Sequence, residues 1–202
     1  MHPLGKLNMH YANSANGLNM MTIYKILPDV KNIPWLLPVD NKYNKFNCEK
    51  KMPMWEPHLF YNADPMKKPH NFFTIGTSSV LTFDEHTLEI CQTVFEMAGE
   101  ILPIKVERSM DLYLLNILEC MNGLNYDTTV WDYYSDGTKG RILQYGFHPE
   151  RVLNEASIFK IPEDLMTNIF CYADVKNPDD EFYYIYHKHK LTGLIFEKVY
   201  LS

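Results

Sequence analysis

Histidines and cysteines are the first side chains to consider, because they supply most metal sites and many catalytic groups. His187 and His189 lie two positions apart, which on a helix separates their imidazoles by about 200°, so they do not share a metal ion. The cysteines are widely spaced, without a CxxC pair, at Cys48, Cys91, Cys120 and Cys171. Their apolar neighbours favour buried, reduced thiols in a cytosolic protein. The spacing therefore predicts no metal site.

Other patterns resemble catalytic or ion-binding motifs but lack a necessary part. The run from Gly137 to Gly140 contains Lys139 but has neither the GxxxxGK[ST] spacing of a phosphate loop nor a following helix. Ser78-Ser79 has no nucleophile-elbow context and no assignable His or Asp partner. The spacing of a calcium loop is not found in the acids Asp174, Asp179, Asp180 and Glu181. We expect no catalytic residues, no cofactor and no enzymatic activity.

The segment from Trp131 to Gly137 has the composition of a binding surface. Its aromatic and acidic side chains are Trp131, Asp132, Tyr133, Tyr134 and Asp136. Large aromatic rings at the centre of an interface are common hot spots, each worth roughly 2 kcal/mol or more. Asp136-Gly137 predicts a tight turn that projects this segment, with a return strand over 141–147. We predict partner binding here; the alternative is a hairpin whose aromatic rings pack on the sheet.

A different hypothesis concerns residues 21–70. Prolines punctuate this region, which argues against regular structure after a first strand at 23–27, while its tryptophans make it too apolar for a free linker. We interpret it as a strand and a proline-rich arm lying over the main domain. A small enzyme or ligand-binding domain would then use a pocket between arm and sheet, drawing on Trp35, Trp55, His58 and His70.

One helix has clear start and stop signals. Thr82 and Glu85 stand three positions apart, the spacing of a capping box in which Thr82 is the N-cap. Apolar residues follow at helical spacing from Leu88 to Ala98. Gly99 is the expected stop. A second helix is predicted after Asp179-Asp180, extending to about residue 191 and ended by Gly193.

The remaining apolar segments predict strands at 101–106, 111–121, 157–161 and 194–201. Asn116 interrupts the second of these, and a buried amide must be hydrogen-bonded, so we expect it to pin a neighbouring loop or strand. Strands and helices do not alternate as βαβ units. The pattern therefore predicts an α+β fold, a mostly antiparallel sheet with a few packed helices, over residues 71–202.

Composition and charge limit the classes of partner. The 202 residues are 46% hydrophobic, enough for a sizeable core, and no apolar run approaches the roughly 20 residues that span a bilayer. Residues 1–20 read as a disordered or non-native tail. Residues 1–60 carry a net +3 and residues 61–202 a net −9. This acidic balance argues against nucleic acid and suits a basic protein partner, although ordinary solubility explains it equally.

Three segments in order resemble a bacterial family. They are 101–106 (ILPIKV), 111–118 (DLYLLNIL), and 157–161 (SIFKI) with the closing 191–196 (LTGLIF). This arrangement resembles the family catalogued as domain of unknown function 1629, grouped with the immunity proteins of polymorphic toxin systems (immunity protein 11-like), over about residues 72–200. Lys160 stands where the family pattern has Arg, and Trp55 is the best point of agreement before residue 70.

The resemblance implies a cytoplasmic, non-catalytic protein that binds and neutralises a cognate bacterial toxin domain. The partner is then a protein, with no role for nucleic acid or membrane. In this interpretation the segment Trp131 to Asp136 is the binding face, and the closing strand is part of the scaffold.

Overall fold

The computed structural model describes residues 21–40, 45–76, 79–107, 111–152, 156–174 and 178–202. The predicted tail, residues 1–20, and Ser78 lie outside these ranges. The helices in the described part are α1 (Glu85–Ala98), α2 (Pro149–Val152) and α3 (Phe182–Lys188), with short 3₁₀ turns at Met52–Met54 and Pro162–Asp164. The strands there are β1 (Thr22–Pro28), β2 (Leu36–Pro38), β3 (Leu59–Asn62), β4 (Phe72–Phe73), β5 (Leu81–Phe83), β6 (Gly99–Val106), β7 (Leu112–Ile117), β8 (Val130–Tyr133), β9 (Lys139–Gln144), β10 (Ile158–Phe159), β11 (Ile169–Ala173) and β12 (Leu194–Leu201).

One antiparallel sheet joins the first strand to the last third of the chain. Its strand order is β10-β11-β1-β12. In the register, Ile26 of β1 lies opposite Ile169 on one side and Phe196 on the other. Both edges of β1 are therefore paired, which makes it an inner strand.

A second sheet has the order β2-β3-β6-β7-β5-β4. The β3–β6 pair is parallel and the other pairs are antiparallel, so the predicted α+β class with mostly antiparallel pairing is confirmed. Residues 21–70 supply β1 to the first sheet and β2 and β3 to the second. The sequence predicted a first strand followed by a proline-rich arm packed on the main domain; β2 and β3 of this region are instead strands of the second sheet. Pro38 is tolerated because β2 is an edge strand.

Aromatic side chains from both sheets and two helices form the main core. The Phe83 ring of β5 lies 4.6 Å from that of Phe95 in α1, and Phe95 lies 5.7 Å from Phe182 in α3. Phe72 of β4 contacts Phe182 and Tyr186. The same cluster contains Ile26 and Ile169 from the first sheet. Burial of each such ring stabilises the folded state by about 1.5–3 kcal/mol. Because the cluster takes its residues from both sheets, this burial holds the two sheets together.

The N-terminus of α1 corrects the predicted capping box. Asp84 is the N-cap, and its carboxylate accepts hydrogen bonds from the Thr87 amide at 2.8 Å and the Thr87 hydroxyl at 2.6 Å. Thr82 is instead a buried residue of β5, and Glu85 is the exposed first residue of the helix. The capping-box spacing selected the wrong threonine because β5 continues to Phe83, immediately before the cap.

The two glycines predicted as helix stops have different roles. Gly99 is the C-cap of α1 and also begins β6; a Cβ atom there would overlap the Asn116 carbonyl oxygen, so close packing on β7 requires glycine. Gly193 does not end α3, which stops at Lys188, three residues before the predicted end at about residue 191. Gly193 has φ +108°, and a Cβ atom would lie 2.8 Å from the Phe72 carbonyl oxygen.

Several predicted strands are shorter in the structure. The segment 111–121 forms a strand only from Leu112 to Ile117, and 157–161 only from Ile158 to Phe159. The β7 ladder ends at the Gly99–Ile117 pair, where β6 begins, and β10 pairs with β11 only at Ile158 and Phe159. The return strand of the hairpin runs from Lys139 to Gln144 rather than over 141–147.

Candidate functional site

The hairpin of β8 and β9 pairs only with itself in the described part of the chain. Its turn is set by Asp136, whose carboxylate accepts from the Thr138 amide at 2.9 Å and the Thr138 hydroxyl at 2.6 Å. These two hydrogen bonds lower the pKa of Asp136. Gly137 takes φ +82°, the left-handed conformation that such a turn needs. The hairpin packs on the first sheet through Trp131 and Ile142, while Tyr133 and Tyr134 near the turn are exposed.

A groove of about 710 Å³ lies between this hairpin and the turn that precedes β11. The hairpin side is formed by Trp131, Tyr134, Lys139 and Arg141, together with Tyr126. The opposite side is formed by Glu163, Asp164 and Leu165, and Lys25 of β1 also lines the groove. The volume is within the range of small-molecule sites, and one side of the groove opens onto exposed aromatic rings.

The ammonium group of Lys139 lies over two stacked aromatic rings in the groove. Tyr126 and Trp131 stack at 6.4 Å with an angle of 20° between the planes. The Nζ atom of Lys139 is 4.7 Å from the Trp131 centroid and 5.0 Å from that of Tyr126. A cation over an aromatic face contributes about 0.5–1 kcal/mol at exposed sites, so this contact orders the hairpin wall.

The facing wall carries carboxylate oxygens with unused acceptor capacity. The Tyr126 hydroxyl donates to Glu163 Oε1 at 2.9 Å, and Asn168 Nδ2 donates to Asp164 Oδ2 at 2.8 Å. Among the described residues, Glu163 Oε2, Asp164 Oδ1 and the indole Nε1 of Trp131 are buried without a hydrogen-bond partner. Burial raises the pKa of Asp164. Unpaired buried polar atoms are costly, so these three atoms favour a polar ligand or partner group.

The residues predicted for binding do not all share this groove. Trp131 and Tyr134 line it. Tyr133 is 57% exposed and is not among the lining residues. Asp132 pairs with Arg141 at 3.7 Å and accepts from the Tyr133 amide, while Asp136 holds the turn. Trp131 packs against the cluster that contains Ile23 and Phe170 of the first sheet, as in the alternative of a hairpin whose aromatic rings pack on the sheet. Tyr133 and Tyr134 are instead exposed.

Sequence reasoning missed the other half of the groove. Tyr126 precedes the chosen segment without a periodic signal, and Glu163 and Asp164 are about thirty positions further along the chain. In the sequence, Lys139 belongs only to a run that partly resembles a phosphate loop. The cation–aromatic alternation from Tyr126 to Arg141 is the one signal that could have identified part of this set.

The pocket predicted between arm and sheet is only partly assembled. Trp55 and His58 pack edge to face at 5.1 Å in a cleft of about 400 Å³. The indole of Trp55 donates to the Pro103 carbonyl oxygen at 2.8 Å, so its polar atom is already used. Trp35 and His70 are not among the lining residues of this cleft. The four residues therefore do not form one site.

Asn116 holds the segment before this cleft. Its Nδ2 atom donates to the Glu49 carbonyl oxygen at 2.9 Å and to Glu100 Oε2 at 3.0 Å. Glu100 in turn accepts from the Lys51 amide at 2.7 Å. The buried amide thus contacts a neighbouring loop, residues 49–51, through a short polar network.

Neither the arrangement of possible metal ligands nor comparison with known proteins assigns a further site to the described part of the chain. Within the described ranges, no group of three or more His, Cys, Asp or Glu side chains is placed to hold a metal ion. None of the helices in those ranges has the length and apolar character to cross a bilayer. A scan of protein-family models and a search of curated proteins both return no match to the chain.

Proposed function

We propose that this chain is a non-catalytic binding protein that neutralises a cognate bacterial toxin domain by direct contact through the β8–β9 hairpin. The carrying observation is the hairpin itself: it is held by its own turn, and it presents Tyr133 and Tyr134, 57% and 66% exposed, beside the groove. Clustered exposed aromatic area of this kind is typical of interaction surfaces. The resemblance to immunity proteins supports the toxin as the partner.

The groove gives this interface its polar component. A partner side chain entering it would meet Glu163 and Asp164, which line the groove and each keep one carboxylate oxygen without a hydrogen-bond partner. A basic side chain suits these two carboxylates. Tyr133 and Tyr134 would then exclude water around that contact, as the rim of a hot spot does.

Charge and aromatic area act on different steps of binding. The net −9 of residues 61–202 favours encounter with a basic partner and so raises the association rate. The groove itself does not share this acidic balance, because three cationic residues, Lys25, Lys139 and Arg141, line it with the two carboxylates. Residence time therefore depends on the aromatic anchors rather than on net charge.

The first experiment tests whether a toxin partner exists. The chain is co-expressed with the product of the adjacent upstream gene, and growth and complex formation are measured. Protection of the cells together with a stable complex is the expected result. A non-toxic gene product, or a toxic one that this chain neither binds nor neutralises, would refute the proposal.

The second experiment locates the interface. We expect Trp131→Ala and Tyr133→Ala each to weaken binding of that partner about 30-fold, the equivalent of roughly 2 kcal/mol, measured by calorimetry. Tyr61→Ala is the matched control, because Tyr61 is an exposed aromatic residue on β3. Unchanged affinity in both folded hairpin variants would move the interface elsewhere.

A small ligand in the groove is the second candidate, favoured by its volume and its three unpaired polar atoms. Tyr133 discriminates between the two functions, because it lies outside the groove lining. Tyr133→Ala should weaken a protein partner and leave a small ligand unaffected, whereas Trp131→Ala should weaken both. A thermal-shift screen of cationic and aromatic metabolites on both variants measures this.

A further inference from the structure

The segment from Phe46 to Trp55 is held against the rest of the chain by polar side chains at several points. Lys160 Nζ donates to the Phe46 carbonyl oxygen at 2.7 Å, and Asn116 Nδ2 donates to that of Glu49 at 2.9 Å. Between these two anchors lies Cys48, with φ +61°. The backbone around Cys48 is therefore fixed on both sides.

Cys120 is fixed beside the same lysine. The Cys120 backbone forms a bridge with that of Lys160, whose amide donates to the Glu119 carbonyl oxygen at 2.9 Å. The Met121 amide donates back to the Lys160 carbonyl oxygen at 2.9 Å. Cys48 lies two residues after Phe46, whose carbonyl oxygen the same lysine side chain holds, and the Cys48 and Cys120 thiols are near enough for each to shift the pKa of the other. Two thiols 72 positions apart in sequence are thus neighbours beside Lys160 in the fold.

The two pairs of cysteines differ in access. Cys91 and Cys171 are buried with no exposed surface, whereas Cys48 and Cys120 are partly exposed. This corrects the expectation of four buried thiols. A small disulfide in solution can reach the second pair and not the first.

We propose that Cys48 and Cys120 form a reversible intramolecular disulfide, a redox modification site that ties the segment from Phe46 to Trp55 to the backbone around Lys160. The oxidant is a low-molecular-weight disulfide such as oxidised glutathione. The inference is independent of the toxin-binding proposal, because it rests on the thiol pair alone.

The reaction proceeds by two exchanges. In the first, the Cys48 sulfur attacks oxidised glutathione, forming a Cys48–glutathione bond and releasing one glutathione thiol, which takes the Cys48 proton. In the second, the Cys120 sulfur attacks the Cys48 sulfur, forming the Cys48–Cys120 bond and releasing the second glutathione with the Cys120 proton. The protein loses two electrons and two protons, and the oxidant gains them.

The surroundings of the pair assign this order. Burial raises the pKa of Cys48, but the hydrogen bond from Cys120 and the charge of Lys160 both lower it; Glu119 and Asp164 raise it. Burial and the neighbouring Cys48 raise the pKa of Cys120 to about 12. Cys48 is therefore the thiol that ionises more readily and reacts first.

The test incubates the full-length protein with oxidised glutathione at mildly alkaline pH, followed by intact mass measurement and non-reducing peptide mapping. We expect the loss of two hydrogen atoms, a linked pair of peptides containing Cys48 and Cys120, and a fall in titratable thiols from four to two. Cys48→Ser should abolish the linked peptides. Reduction by dithiothreitol should restore all four thiols.

Two results would overturn the proposal. One is a stable glutathione adduct on Cys48 with no internal bond, or a bond that involves Cys91 or Cys171. The other is an oxidised form that melts below the reduced form, since a bridge that fits the fold should raise the melting temperature by up to about 10 °C. Because the mapping uses the wild-type chain, poor folding of Cys48→Ser would not affect it.

Discussion

Lys160 is a buried charge that anchors an irregular segment. Its side chain has no exposed surface, and its ammonium group donates to the Phe46 carbonyl oxygen at 2.7 Å. Burial lowers the pKa of Lys160, and the nearby Cys48, Asp164 and Cys120 partly offset this effect. A guanidinium at this position would bring five donors in a rigid fork, so the lysine suits a site that offers one well-placed carbonyl.

We predict a pH-dependent stability difference from this residue. Below its lowered pKa Lys160 is charged in both the folded and the unfolded state, so the folded protein bears the desolvation penalty. As pH rises through its lowered pKa towards about 10.4, the folded state loses the proton first and the penalty falls. Relative to Lys160→Met, the wild type should therefore gain stability between neutral pH and about pH 10, measured by urea unfolding. Lys188→Met, at an exposed ion pair with Asp179, is the control; parallel profiles for wild type and Lys160→Met would contradict the prediction.

At the scale of elements, the start of α1 is tied to the sheet it packs on. One oxygen of Asp84 accepts from Thr87, and the other accepts from Asn71 Nδ2 at 3.1 Å. Asn71 also accepts from the Thr192 amide at 3.1 Å. The cap thus links the helix to the residues before β4 and before β12.

Asp84→Ala should destabilise the protein by about 1–2 kcal/mol, because the Thr87 amide loses its only side-chain acceptor at the helix start. Glu85→Ala should change stability by less than about 0.5 kcal/mol, since Glu85 is exposed. Guanidinium unfolding of both variants measures this. Equal losses of stability in the two variants would show that Glu85 contributes to the cap, as the predicted capping box requires.

Local signals identified the helix α1 and the hairpin turn, since both depend on residues a few positions apart. Gly99 ends α1 at the predicted position, and Asp136-Gly137 forms the predicted turn. The sequence placed the N-cap at Thr82, two residues before the observed cap Asp84, because Thr82 and Phe83 still belong to β5. The extent of α3 was overestimated because Lys190, with φ +55°, ends the helical path before Gly193.

At the scale of the molecule, both sheets share one core. Ile26 of β1 lies in the same cluster as Phe83 and Phe95, which belong to the second sheet and its helix. β1 therefore cannot unfold separately from the rest of this core. A single cooperative transition is the physical consequence.

Ile26→Ala should cost about 3 kcal/mol and leave the transition cooperative. Tryptophan fluorescence, which reports on Trp35, Trp55 and Trp131, should give the same midpoint as circular dichroism during urea unfolding. Ile195→Ala, at a half-exposed position of β12, should cost much less. Separate midpoints for the two probes would show that residues 21–70 form an independent unit.

The fold class followed from the sequence, but the assembly of the site did not. Trp131 and Tyr134 were identified from residue type, which is a local property. Glu163 and Asp164, about 30 positions further along the chain, reach the same groove because the hairpin packs on the cluster that contains Ile161 and Phe170. Lys25 reaches it because β1 pairs with β11. No short-range pattern encodes such register, because the pairing is fixed by the shared core.

The position of β1 between β11 and β12 has a consequence for synthesis on the ribosome. The two neighbours of β1 begin at Ile169 and Leu194, so well over a hundred residues must be translated before either edge of β1 is covered. At roughly 5–20 residues per second, this strand waits on the order of 10 seconds with its backbone unpaired. The nascent chain therefore exposes an aggregation-prone strand early, and chaperone contact during translation should concentrate at residues 22–28.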